Sequence, residues 1–164
     1  MKCWIQCIPP KSTAQSTSMI MYRGKGSERK PFVGSAGKGQ KVREEIMGLL
    51  QSFTPVRPYE GPLRLGVYWV FPFRKNEKKA DRERGYDLAS TRPDVDNLSK
   101  FLCDCMGRLG WFLDDSQICH LSFRKYRSHS PGIGISLEHI TPEQVGNPSE
   151  FMGIRPGYNQ THGG

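Results

Sequence analysis

The chain has no apolar run approaching the roughly 20 residues that cross a bilayer, and its mean hydropathy is −0.58. Its opening, MKCWIQCIPP, carries one lysine and an apolar stretch too short for the hydrophobic core of a secretory signal. These absences lead to the expectation of an intracellular protein with no membrane partner. Cysteine is sparse and odd in number, five in all, which fits a reducing compartment better than a disulfide framework. Cys3 and Cys7 fall on a predicted strand, Cys103 and Cys105 two apart on a predicted helix, and no second pair has zinc-site spacing. Cys119 stands beside His120, but strand neighbours face opposite sides. GSAGKG has glycines and a lysine without the spacing or the Lys-Ser/Thr pair of a phosphate loop, which excludes a nucleoside triphosphate site and any nucleotide cofactor there. No internal repeat is visible.

Acidic residues are also scarce, 16 against 24 lysines and arginines, for a formal net charge of +8. A pI near 9.4 suits a polyanionic partner, since basic surface attracts phosphate through counterion release. Against that background the span from Arg92 to Ile118, RPDVDNLSKFLCDCMGRLGWFLDDSQI, reverses the local sign. It gathers Asp94, Asp96, Asp104, Asp114 and Asp115.

Pro93 fixes its own φ and biases Arg92 towards extended backbone, so Asp94 and Asp96 are predicted to close an extended arm with both carboxylates on one side. From Asn97 the period changes. Leu98, Phe101, Leu102, Cys105 and Leu109 recur at helical spacing and predict a helix, N-capped by Asp96 and ending near Gly107 or Gly110. A helix of roughly 11 residues is about 16 Å long. The steps from Gly107 to Asp115 can span up to about 27 Å, so Asp115 can return to the helix start. Three carboxylates meeting there repel one another unless a cation neutralises them, and hard oxygen ligands with open positions suit Mg²⁺ or Mn²⁺.

PDVDNLSK followed by GWFLDDSQI resembles the RusA family of Holliday junction resolvases, metal-dependent endonucleases that cut branched DNA at four-way junctions. The resemblance is clear over about Val67 to Glu138. It implies that Asp94, Asp96 and Asp115 are catalytic, metal-binding carboxylates and that Lys100 is a catalytic lysine. Asp114 and Asp104 match further acidic positions in supporting roles. It also implies a homodimer, nicks that leave a 5′ phosphate and a 3′ hydroxyl, and a cytoplasmic setting in a bacterial cell or a phage-infected host.

The bland alternatives are specific. An isolated DxD is commonly a solvated turn or a cap. Lys100 alone reads as a surface charge pairing with Asp96 or Asp104 along the helix, and Asp104 lies too far along the axis to reach a metal at the helix start. A non-catalytic module gripping branched or single-stranded nucleic acid is the alternative function. A DxD glycosyltransferase fits poorly, because no nucleotide-binding βαβ unit precedes the motif.

Around this stretch the chain predicts a single α+β domain over residues 1–140, a mixed sheet with two main helices packed on it, and a loose tail over 141–164. Cys3 to Ile8 and Ser18 to Arg23 read as strands, the second a hairpin partner of the first. A Gly/Lys-rich stretch over about 24–40 reads as a flexible basic loop, and Val42, Ile46, Leu49, Leu50 and Phe53 as a helix face. LRLGVYWVFPF is the predicted central strand, covered on both faces. The charge-dense stretch over about 74–92 shows neither period. Arg74, Lys75, Lys78, Lys79, Arg82, Arg84 and Arg92 there are candidate phosphate ligands, joined by Arg124, Lys125 and Arg127 at the end of a later strand. That strand, Gln117 to Tyr126, is expected to form a hairpin with Ile133 to Leu137.

Overall fold

The computed structural model describes the backbone of residues 1–11, 18–23, 30–35 and 38–146, and the side chains of 1–11 and 40–146. The architecture is α+β: a five-stranded mixed sheet with its helices. In chain order the elements are β1 (Lys2–Gln6), β2 (Ser18–Arg23), β3 (Lys30–Ser35), α1 (Lys38–Gln51), β4 (Leu63–Pro72), α2 (Lys79–Arg84), β5 (Tyr86–Leu88), α3 (Val95–Arg108), a 3₁₀ turn (Asp115–Gln117), β6 (Ile118–Ser128), β7 (Gly132–His139) and α4 (Pro142–Val145). No helix among the described residues is long and apolar enough to cross a membrane.

The sheet order is β1-β7-β4-β6-β5, with β4 parallel to β6 and antiparallel to β7. β4 is central, as its β-branched and aromatic run predicts, but cover is uneven: the second face buries Val70 and leaves Tyr68 exposed. Leu63, Leu65, Val67 and Trp69 are fully buried, and alternate residues face the other way, where Tyr68 is 40% exposed. The buried row meets Ile133, Ile135 and Leu137 of β7 and Ile5 of β1. It also meets Leu98, Phe101, Leu102 and Met106 of α3, and Ile46 and Leu50 of α1. Leu49 lies outside this face, exposed.

Two expected hairpins do not form. β1 pairs with β7, and β2 pairs with β3 as a separate two-stranded ribbon. β6 and β7 are not neighbours, because β4 lies between them. The link from Ser128 to Gly132 therefore crosses the end of β4. Two strand spacings are about 9.6 Å, and four extended steps reach about 13 Å, so a short loop suffices.

The charge-dense stretch over 74–92 is not featureless: it holds α2 and the edge strand β5. Of the loop expected over 24–40, residues 24–29 and 36–37 lie outside the described residues, while 30–35 are β3 and α1 begins at Lys38. The tail begins with α4, and residues 147–164 lie outside the described residues.

Candidate active site

Residues Thr91 to Pro93 form the strap that leads into α3, and they are held from β6. The Lys125 ammonium donates to the Thr91 and Pro93 carbonyls at 2.8 and 2.7 Å. Arg127, 8% exposed, donates to Pro72 O at 3.1 Å and Thr91 Oγ1 at 2.8 Å, and its Nε pairs with Glu77 at 3.1 Å. Burial, and then the neighbouring Arg74 charge, lower the Arg127 pKa; Glu77 opposes this. Lys125 and Arg127, phosphate ligands in the sequence reading, are thus committed to backbone and to Glu77.

The strap delivers Asp94 as the N-cap of α3, with extended backbone (φ −73°, ψ 149°) and no capping bond from its side chain. This corrects the cap from Asp96 to Asp94. Asp96 lies in the first helical turn, so the two carboxylates do not share the face that a strand would give them. Both are exposed. Lys100, one turn on, is exposed and makes no ion pair with a described carboxylate. Asp104 instead stands 4.0 Å from Arg43 and links α3 to α1.

Beyond α3, Gly110 turns the chain with φ +76°, a conformation suited to glycine. Trp111 and Phe112 are buried as anchors. Asp114 caps the 3₁₀ turn by accepting from Ser116 N at 2.9 Å; the Ser116 hydroxyl, and then that backbone bond, draw its pKa down. Gln117 closes the box by accepting from the Leu113 and Asp114 amides at 2.8 and 2.9 Å. Its Nε2 donates to the Tyr59 and Gly61 carbonyls at 3.3 and 3.1 Å. Asp115 is thereby placed, exposed, against α3.

Asp115 comes back beside α3 on the 3₁₀ turn. Its charge acts on Cys103, whose thiol is pushed up to about 12 first by burial and then by Asp115 and Asp104. Cys103 lies seven residues past Asp96, about 10 Å up the helix axis. Asp94, Asp96 and Lys100 thus lie on the first turns of α3, and Asp115 on the 3₁₀ turn beside that helix. No three His, Cys, Asp or Glu side chains among the described residues stand close enough to hold one metal ion. The donor types still suit a hard cation, since Mg²⁺ commonly takes one or two carboxylates and completes its shell with water and substrate phosphate. The carboxylates of Asp94, Asp96 and Asp115 make no hydrogen bond or ion pair with the described residues.

The basic candidates divide in the same way. Arg82 donates to the Arg74 carbonyl and to Lys75 O at 3.2 Å, and its guanidinium lies 6.0 Å from the Phe73 ring centre. Arg84 pairs with Asp81, and with Asp87 at 3.8 Å. Lys79 pairs with Glu83 at 3.7 Å. Arg74, Lys75, Lys78, Arg92 and Arg124 are exposed and unpaired with any described carboxylate. Sequence reasoning missed Gln117, Glu77 and Thr91. The D-x-x-Q spacing of Asp114 and Gln117 is a capping-box signal that was there to be read, whereas Glu77 and Thr91 carry none.

Known proteins resemble this chain over much of its length. A Bacillus subtilis (strain 168) protein described as "Uncharacterized protein YqaN" is 26% identical over 144 residues, 84% of this chain and 99% of that protein. "Crossover junction endodeoxyribonuclease rusA" of Lactococcus phage r1t is 32% identical over 79 residues, 48% of this chain and 56% of the phage protein. The family model described as "Endodeoxyribonuclease RusA" matches residues 21–138, which include β4, the strap, α3, the 3₁₀ turn and β6. The chain therefore belongs to the RusA endodeoxyribonuclease family.

Proposed function

We propose that this protein is a Mg²⁺-dependent, structure-selective endodeoxyribonuclease, with Mn²⁺ able to substitute, that resolves four-way DNA junctions by paired symmetric nicks. One observation carries the reading furthest. Of the five aspartates in the acidic span, Asp104 and Asp114 are spent on structure, while Asp94, Asp96 and Asp115 are left uncommitted at the surface of rigid elements.

Asp94, Asp96 and Asp115 would hold the ion or ions between them. A bound divalent ion supplies Lewis-acid polarisation of the scissile phosphate and an acidified water. The chain does the rest. The N-terminus of α3, left open by the Asp94 side chain, offers partial positive charge to a phosphate. Lys100, one turn further, offsets negative charge growing on the phosphate in the transition state. Arg74, Lys75, Lys78 and Arg92 follow the backbone on either side and set affinity rather than sequence preference. A 3′ hydroxyl and a 5′ phosphate are the products. Two-fold junctions need two matched cuts, which gives a homodimer its rationale.

The test is cleavage of a synthetic four-way junction, a fork and a linear duplex of the same sequence in Mg²⁺, Mn²⁺ and EDTA. Paired nicks in the junction that require the metal support the reading. Tight junction binding with no nick under any metal would leave a non-catalytic binding module instead.

A further inference from the structure

The face of the sheet turned away from α1 and α3 is aromatic and open. Its middle row runs Trp4, Gly134, Tyr68 and Arg124, set side by side by the pairings of β1 with β7, β7 with β4, and β4 with β6. Trp4 is 46% exposed, Tyr68 40% and Tyr86 56%. Tyr68 and Tyr126 lie nearly parallel, with ring centres 6.1 Å apart at 16°, and Tyr86 meets Tyr126 edge-on at 6.3 Å.

The indole of Trp4 lies flat because β7 has glycine beneath it. A Cβ on Gly132 would meet Trp4 Cζ2 at 2.5 Å and the Ile5 carbonyl at 2.7 Å; one on Gly134 would meet both Trp4 Cε3 and Tyr68 Cβ at 3.4 Å. Arg124 lies 5.2 Å from the Tyr68 ring centre and donates to the Tyr68 hydroxyl at 2.6 Å. No described carboxylate pairs with it. Glu138, an acid on this face, is already paired with Arg64 at 3.1 Å.

We propose that this face is a stacking platform for unpaired bases of single-stranded DNA, with Trp4, Tyr68, Tyr126 and Tyr86 under the bases and Arg124 at the phosphates. Flat rings beside an uncompensated guanidinium match both halves of a nucleotide, and every base has a π-face to stack. A second copy of the chain is the lesser match, because a two-fold contact brings the same patch against itself and that patch offers no free carboxylate among the described residues to answer Arg124. The site is separate from the acidic row on α3 and does not depend on cleavage.

Trp4 also reports on it, since Trp69 and Trp111 are fully buried. A short oligo(dT) titrated into the full chain should quench the solvent-exposed part of the tryptophan emission. Trp4→Ala should abolish that quench and, like Tyr68→Leu, weaken oligo(dT) binding by roughly ten-fold in fluorescence anisotropy. Tyr68→Phe, which keeps the ring, should retain most of the affinity, and circular dichroism of each variant checks that it folds. Unchanged affinity in folded Trp4→Ala and Tyr68→Leu overturns the proposal. So does a wild-type dimer that Tyr68→Leu converts to monomer while oligo(dT) affinity stays the same. These titrations are run in EDTA, where the proposed nicking is silent, so failure of the catalytic reading leaves this result separately legible.

Discussion

Replacing Lys125 by methionine separates two meanings of a basic residue. The Lys125 ammonium makes two charge-assisted bonds to the Thr91 and Pro93 carbonyls, at 2.8 and 2.7 Å. A hydrogen bond involving a charged group contributes about 1.5–3 kcal/mol. The side chain is half-buried, so solvent screening puts each bond at the lower end. Methionine keeps the apolar stem and loses both bonds, so the variant should be less stable by about 3 kcal/mol. For a domain of this size that is a fall of about 6–12 °C in Tm, equally visible as a lower urea midpoint at constant slope. The strap carries Asp94, so cleavage should fall further than stability alone explains. Wild-type unfolding, with junction affinity uniformly weaker and its salt dependence shallower, would refute this and return Lys125 to the phosphates.

Arg127→Met leaves Glu77 nearly buried and unpaired, with side-chain exposures of 10% and 16% for the pair. It should cost about 3 kcal/mol in urea unfolding, and adding Glu77→Gln should recover part of that loss. Among the thiols, Cys103 and Cys105 are pushed up to about 12 and about 11, chiefly by burial, whereas Cys119 is exposed. At pH 8 a thiol reagent should react rapidly with Cys119 and reach Cys103 and Cys105 only on unfolding. Asp114→Ala should lower Tm at neutral pH. Because the folded Asp114 pKa lies below its ordinary 3.8, the stability it adds is complete above that value and disappears as pH falls through the folded pKa. The gap between wild type and variant should therefore close in strong acid; a gap independent of pH would assign it to something other than the carboxylate.

The fold was legible where one physical signal dominated. The apolar run of β4 marked the central strand, and the spacing of Leu98, Phe101, Leu102 and Cys105 marked the buried side of α3, because both patterns answer to one large core. Partner choice was not legible. β6 and β7 are close in sequence and were read as a hairpin, yet β4 competes for both of their edges, and alternation within a strand says nothing about which neighbour it takes. The charge-dense stretch hid α2 and β5 because it buries almost nothing, so hydrophobic period had nothing to act on.

At the site, residue types were readable and tasks were not. Asp94 and Asp96 were identified, but a helix that begins one residue after Asp94 sends their carboxylates in different directions. The RKYR cluster reads as uniform positive charge. Its strand alternation turns Arg124 to the open face, where it meets Tyr68, and sends Lys125 and Arg127 inward to the strap. Charge alone carries no such direction.

The acids on α3 and the 3₁₀ turn are proposed to act as one site although they come from different elements, and a double-mutant comparison tests that most directly. Asp94→Asn, Asp115→Asn and the double variant would be assayed for Mg²⁺-dependent nicking and for binding of a four-way junction. Each single variant should lose nicking as completely as the double while still binding the junction, since residues that act as a unit are not additive. Nicking by Asp115→Asn at the wild-type rate, or single losses that simply multiply in the double, would contradict the account.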